Sequence, residues 1–130
     1  MKKISIILFL IPLIFINCNL SDEEPVQKDY YISFQNKVWI QNNYTAKNFN
    51  FATMYCDNLG YRLPTISELH SIVNFDRVPT TYKAFNKIKQ TYYWSSNNSD
   101  SSVIVIQFKN GTEQIINKYS HTANFICIQN

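Results

Sequence analysis

The feature of this sequence that most restricts its fold is the cysteine pair Cys56 and Cys127. These are the two cysteines of the expected folded domain, and in an exported protein an even number of cysteines favours a disulfide. Such a bridge would close a loop of about 70 residues and stabilise the domain by roughly 4 kcal/mol in a chain-entropy treatment. The alternative is that both cysteines are buried free thiols.

The first 17 residues carry the pattern of an export signal. Lys2 and Lys3 precede an apolar run over residues 4–16, which is short for a membrane-spanning helix. Cys18 follows directly, which resembles the lipobox of bacterial lipoproteins, where this cysteine becomes the acylated first residue. We therefore predict a lipoprotein signal peptide over residues 1–17 and lipid attachment at Cys18. The alternatives are an ordinary signal peptide with a stray cysteine and an uncleaved membrane anchor.

Residues 18–30 predict a flexible acidic tether, because they are rich in carboxylates and contain little that is apolar. One domain is expected from there, over residues 31–130. The expected location is the cell envelope, with the lipid in the outer membrane rather than the inner one. The formal net charge is only +3, and removal of the signal peptide with Lys2 and Lys3 would lower it. Nucleic acid is therefore not an expected partner.

A first helix is predicted after Asn48, a residue that commonly caps helix N-termini. Four apolar side chains then follow the spacing of one helix face, which places Cys56 on the buried side. Gly60 is expected to end this helix in the left-handed conformation. The four residues of the apolar face are Phe49, Ala52, Cys56 and Leu59.

A second helix is predicted after a sharp corner at residues 61–64. Pro64 disfavours helical geometry in the residue before it, so the first helix cannot continue. Thr65 and Glu68 have the spacing of a capping box, in which each side chain accepts the other's backbone N–H. The apolar face of this helix is Ile66, Leu69, Ile72 and Val73.

The rest of the chain predicts strands and loops. Strands are expected within 30–40 (one or two strands) and at 92–96, 103–108, 112–116 and 125–128. A long surface loop is expected over 74–90 and a polar loop over 97–101. Asn110-Gly111 is typical of a tight hairpin turn.

The order of these motifs resembles the domain at the C-terminus of the Legionella collagen-like adhesin, found in bacterial envelope proteins. The motifs are A-x-x-x-C-x-x-L at 52–59, RLPT-x-x-EL at 62–69, YWSS at 93–96 and a terminal cysteine in a strand. The resemblance covers about residues 37–130. It implies an α+β, C-type-lectin-like fold with two short helices packed on small twisted antiparallel sheets. It also implies a disulfide between the first helix and the last strand.

Eight residues are candidates for ligand binding. They are Arg77, Lys83, Lys87, Lys89, Tyr92, Tyr93, Asn97 and Asn98. The four basic residues could bind a polyanion, and the tyrosines could stack on a sugar. The alternative is that the basic residues form a solvated loop, and Trp94 beside the tyrosines is expected in the core.

No metal site, cofactor or catalytic centre is expected. Asn97, Asn98 and Asp100 are a small set of oxygen ligands for calcium. His70 and His121 have no spaced cysteine or carboxylate partners, which disfavours zinc. Both cysteines of the domain are expected in the bridge, so neither is available as a nucleophile. We therefore expect that the protein is not an enzyme.

The function predicted from these observations is that of a membrane-anchored lipoprotein that presents a lectin-like binding domain. Its partner would be a glycan, a glycosaminoglycan or another envelope protein. The alternative is a structural or interaction protein of the envelope that recognises no sugar.

Lipid attachment can be tested with the Cys18→Ala variant. We expect that metabolic labelling with an acyl-chain probe marks the native protein and not this variant, because Cys18 is the acylated residue. Equal labelling of the two proteins would contradict the prediction.

Overall fold

The computed structural model describes residues 27–73, residue 85 and residues 88–130. In this part the chain is an α+β domain with two helices and two small antiparallel sheets, as predicted. None of the helices in these described ranges is long and apolar enough to cross a membrane. The predicted signal peptide, Cys18 and most of the loop predicted at 74–90 lie outside the described residues.

The described residues form seven strands and two helices. In chain order they are β1 (Asp29–Phe34), β2 (Lys37–Asn42), α1 (Phe49–Asn58), β3 (Tyr61–Arg62), α2 (Ile66–Ile72), β4 (Tyr92–Asn98), β5 (Ser102–Gln107), β6 (Glu113–Asn117) and β7 (Cys127–Gln129). The first sheet has the order β1-β2-β7-β3 and the second has the order β4-β5-β6. The last strand therefore lies inside the first sheet, between strands from the start of the domain.

The hairpin of β1 and β2 has a two-residue turn at Gln35-Asn36. The φ angles of these residues are 51° and 59°, as a type I′ turn requires. β1 begins at Asp29, inside the range predicted for the tether. Its backbone pairs with Asn42, and its carboxylate accepts a hydrogen bond from the Tyr55 hydroxyl at 2.6 Å. These two contacts draw Asp29 into the folded domain.

The first helix begins and ends where the sequence predicted. The Asn48 side chain accepts a hydrogen bond from the Phe51 N–H at 2.8 Å, and Gly60 follows the helix with a φ of 76°. Cys56 on the buried face is bonded to Cys127 in β7, and their Cα atoms are 5.5 Å apart. The predicted disulfide is thus confirmed, and it fastens α1 to the first sheet.

The corner between the helices contains a short strand that the sequence did not reveal. Tyr61 and Arg62, predicted as part of a turn, form β3 and pair with β7. They gain these backbone partners because the chain passes along the edge of β7 after α1 ends. The capping box that follows is confirmed, since Thr65 and Glu68 each accept a hydrogen bond from the other's backbone N–H.

The second sheet follows the predicted strands with two differences. β4 continues to Asn98, through residues predicted as the start of a loop. The connection from β5 to β6 runs over residues 108–112 and is longer than a two-residue Asn-Gly turn. Gly111 in this connection has a φ of 69°, which favours glycine.

Both faces of the second sheet are packed. On one face Trp94, Val103 and Val105 lie in the core cluster that surrounds the disulfide and α1. On the other face Tyr93 and Ile106 lie in a cluster with the apolar side of α2. Trp94 is fully buried, so its predicted place in the core is confirmed.

Removal of the disulfide should destabilise the domain strongly. We expect that the Cys56→Ala/Cys127→Ala variant loses about 2–5 kcal/mol of unfolding free energy, because the unfolded chain regains the freedom of a long loop. Chemical denaturation measures this loss, and the matched control is Cys18→Ala, which leaves the bridge intact. Alkylation of both sulfurs in the unreduced native protein would contradict the prediction.

Candidate functional site

The second sheet contains an irregularity in β4, a bulge of three residues. Trp94 pairs with Val105, whereas Asn98 pairs with Val103. Residues 95–97 therefore oppose a single residue of β5. A bulge of this kind redirects side chains out of the strand's regular alternation, and bulges are frequent beside functional sites.

Ser95 holds the bulge in shape from the inside. It is fully buried, and its hydroxyl donates to the Ile104 carbonyl at 2.6 Å and accepts from the Asn97 N–H at 3.2 Å. The hydroxyl thus replaces backbone partners that the bulge removes from the ladder. The next two side chains are left accessible, with Ser96 half-buried and Asn97 exposed.

The corner before α2 holds the bulge from the outside. The Ser96 N–H donates to the Pro64 carbonyl at 2.8 Å. The Ile66 N–H donates to the Asn97 side-chain oxygen, also at 2.8 Å. This second bond supplies a partner to one of the N–H groups that a helix start leaves unsatisfied. The RLPT and YWSS motifs, which are far apart in the sequence, therefore meet at this point.

A bidentate ion pair makes the corner rigid. The two terminal nitrogens of Arg62 donate to the two carboxylate oxygens of Glu68 at 2.6 and 2.9 Å. One of these nitrogens also donates to the Leu63 carbonyl at 3.3 Å. Hydrogen bonds from Arg62 and from the Thr65 amide lower the pKa of Glu68 to about 2, although partial burial opposes this shift. The same carboxylate raises the pKa of Arg62.

An open cleft of about 530 Å³ lies against the bulge. Its polar wall consists of Ser96, Asn97, Asn98, Ser99 and Ser102, and its apolar part consists of Val103, Ile104 and Ile115. Ile104 and Ile115 are direct neighbours across β5 and β6. Ile115 is 71% exposed, although it is a large aliphatic side chain. None of the described residues that line the cleft is ionisable.

The loop at the rim of the cleft is tied to the segment after β6. The Lys118 ammonium donates to the Ser99 carbonyl at 2.8 Å, and the Tyr119 hydroxyl donates to the Asp100 carbonyl at 3.1 Å. The ammonium also lies 5.6 Å from the centre of the Phe49 ring, on the α1 side of the sheet. It donates in addition to the Asn98 side-chain oxygen at 3.4 Å, so this cation is held by the protein at the rim of the cleft.

The predicted binding residues that the structure describes do not all lie at one site. Asn97 and Asn98 both line the cleft. Tyr93 is 5% exposed, its hydroxyl accepts from the Lys89 N–H, and burial raises its pKa to about 12. It therefore offers no ring face to a sugar, because strand alternation turns it towards the α2 cluster. Tyr92 is 37% exposed and does not line the cleft.

Of the four basic candidates, the structure describes Lys89. Lys89 is exposed, and its ammonium donates to the Tyr44 carbonyl at 3.3 Å. The other three, Arg77, Lys83 and Lys87, lie outside the described residues.

Sequence reasoning missed several residues of the cleft. Ser96 was predicted to lie in a regular strand. Ile115 was predicted to lie in the second strand of a hairpin, with no prediction of its exposure. The polar run Ser95-Ser96-Asn97-Asn98 at the end of an aromatic strand breaks the expected alternation, and this break was an available signal for a bulge. The exposure of Ile115 had no comparable signal, since it depends on which segments pack on that face of the sheet.

Comparison with known proteins identifies one family. A family model described as the Lcl C-terminal domain matches residues 17–129. No curated protein and no solved structure matches the chain. The C-type-lectin-like fold that the sequence resemblance implies therefore stays a prediction.

The ion pair at the corner should contribute stability that depends on pH. We expect that Glu68→Gln lowers the unfolding free energy by about 1–3 kcal/mol near neutral pH, because Arg62 loses a charged partner. The pKa of Glu68 is lowered in the folded state, so its contribution is complete above the usual value of 4.5 and is lost as the pH falls towards about 2. The difference between native protein and variant should shrink over that range.

Denaturation at several pH values measures this effect. The matched control is Asp57→Asn, which changes an exposed carboxylate on α1 and should alter stability by less than about 0.5 kcal/mol. Equal stability of Glu68→Gln and the native protein at every pH would contradict the prediction.

Proposed function

Since the chain belongs to the Lcl C-terminal domain family, an adhesin-related domain of the bacterial envelope, we propose that it is an envelope-anchored adhesion module that binds an extracellular glycan. The observation that carries this proposal is the cleft at the β4 bulge, where amide and hydroxyl groups lie beside exposed aliphatic carbon. Sites for small polar ligands commonly combine a few placed polar groups with an apolar surface.

The rigidity of the cleft wall supports a binding role. Ser95 holds the bulge from within, and Pro64 and Ile66 hold it from the corner. Binding then requires little ordering of the wall, and preorganisation of this kind increases affinity.

Anchoring through Cys18 completes the proposal. Acyl chains on this residue would hold the protein on a membrane, because each buried methylene contributes about 0.8 kcal/mol. The described domain begins close behind, with β1 starting at Asp29. The domain would therefore act near the membrane surface, where an adhesin meets polysaccharide.

The proposal is tested with the full chain extracted in mild detergent and applied to an array of neutral and sulfated glycans at low salt. Binding to at least one glycan class is expected. A Lys83→Ala/Lys87→Ala/Lys89→Ala variant measures how much the basic residues contribute. Its matched control removes the same charge elsewhere, at Lys28, Lys37 and Lys109.

Absence of binding to every glycan at low salt would contradict the proposal. Recovery of a defined envelope protein with the chain, in place of any glycan, would then favour an interaction protein without sugar recognition.

A further inference from the structure

The chemistry of the cleft specifies the class of glycan more narrowly than the proposed function does. Within the described part of the chain, the hydroxyls of Ser96, Ser99 and Ser102 make no hydrogen bond to the protein, and neither does the NH₂ group of Asn97. A hydroxyl both donates and accepts, whereas an NH₂ group donates. A matching ligand therefore carries donors and acceptors side by side, as adjacent sugar hydroxyls do.

Electrostatics disfavour a charged ligand at this site. The described lining residues include no lysine, arginine or histidine. Lys118 is nearby, but its ammonium donates to the Ser99 carbonyl at 2.8 Å and to the Asn98 side-chain oxygen at 3.4 Å, and it lies over the Phe49 ring. Binding of a sulfated chain would require cations directed into the cleft. Recognition here rests on neutral hydrogen bonds and on contact with carbon.

The apolar side of the cleft suits the C–H face of a sugar ring. Ile104 and Ile115 form a cross-strand pair beside the polar wall, and Ile115 is largely exposed. Covering this side chain would remove apolar surface from water, which favours binding. The His70 and Glu113 side chains are 2.5 Å apart and connect α2 to β6, so α2 covers the sheet next to this pair. The cleft is the part of that face which α2 leaves uncovered.

The oxygen groups of the cleft are unsuited to calcium. Calcium takes six to eight oxygen ligands, with carboxylates among them. The described lining residues contribute amides and hydroxyls and no carboxylate. The Asn97 oxygen is already occupied by the Ile66 N–H. A sugar would therefore be held directly by the protein.

We propose that the cleft binds a neutral saccharide through the free Asn97 NH₂ group, the serine hydroxyls and Ile115, without calcium and without a contribution from charge. This inference rests on the proposed function and assigns its ligand class. The ligand is an uncharged pyranose unit with neighbouring hydroxyls, free or within a polysaccharide.

Asn97→Asp is the most specific test. It keeps the oxygen that accepts from the Ile66 N–H and removes the free NH₂ donor, so the corner stays intact. The matched control is Asn110→Asp, which adds the same charge where the side-chain oxygen accepts from the Thr112 N–H in the β5–β6 connection. We expect Asn97→Asp to weaken binding to neutral glycans about tenfold or more and Asn110→Asp to leave it unchanged.

Ile115→Ala tests the apolar contact. Its matched control is Met54→Ala, which truncates a 55% exposed apolar side chain on α1, away from the cleft. Both side chains are exposed, so neither change should alter stability by more than about 0.5 kcal/mol. Thermal melting of all four variants verifies that they remain folded. We expect weaker neutral-glycan binding for Ile115→Ala alone.

The full chain in detergent is applied to immobilised neutral and sulfated glycans, with and without EDTA, at low salt and at about 1 M NaCl. Retention on neutral glycans under all these conditions is expected. Release by EDTA, or equal binding by Asn97→Asp and Asn110→Asp, would overturn the inference. Binding to sulfated glycans alone, abolished by salt, would overturn it and leave the proposed function intact. Binding to no glycan would overturn both.

Discussion

The disulfide between Cys56 and Cys127 is the constraint on which the rest of the domain depends. It joins α1 to β7, the strand that pairs with both β2 and β3 in the first sheet. The same cluster of buried residues contains Trp94, Val103 and Val105 from the second sheet. The covalent link therefore fixes the first helix on the first sheet, and packing around the link positions the second sheet. In a small domain such a link represents a large fraction of the total stability.

The corner between the helices connects the first sheet to the cleft. It begins where β3 pairs with β7 and ends at the capping box of α2. Between these points the Arg62–Glu68 ion pair fixes the chain, and Pro64 and Ile66 provide the backbone groups that hold the β4 bulge. The two family motifs are thus parts of one contact. This contact gives a physical reason why the RLPT and YWSS motifs occur together in one chain.

The location of the cleft bears on the binding role proposed for this domain. The basic residues that were candidates for binding lie between 77 and 89, and most of them are outside the described residues. The described cleft is neutral, with free hydroxyls and an exposed Ile115. Neutral sites discriminate through the geometry of hydrogen bonds, and a missing partner leaves a buried polar group unsatisfied. Charged sites depend on salt, so ionic strength distinguishes the two modes of binding.

The sequence by itself determined the local structure and the covalent link. Asn48, Gly60 and the box of Thr65 and Glu68 were readable because caps depend on residues within one helical turn. The disulfide was predicted from the expected export and the number of cysteines. The β3 strand, the burial of Tyr93 and the bulge against Pro64 were decided only by the tertiary structure. These features depend on which distant segments lie side by side, and that is set by packing across the sheets rather than by local sequence.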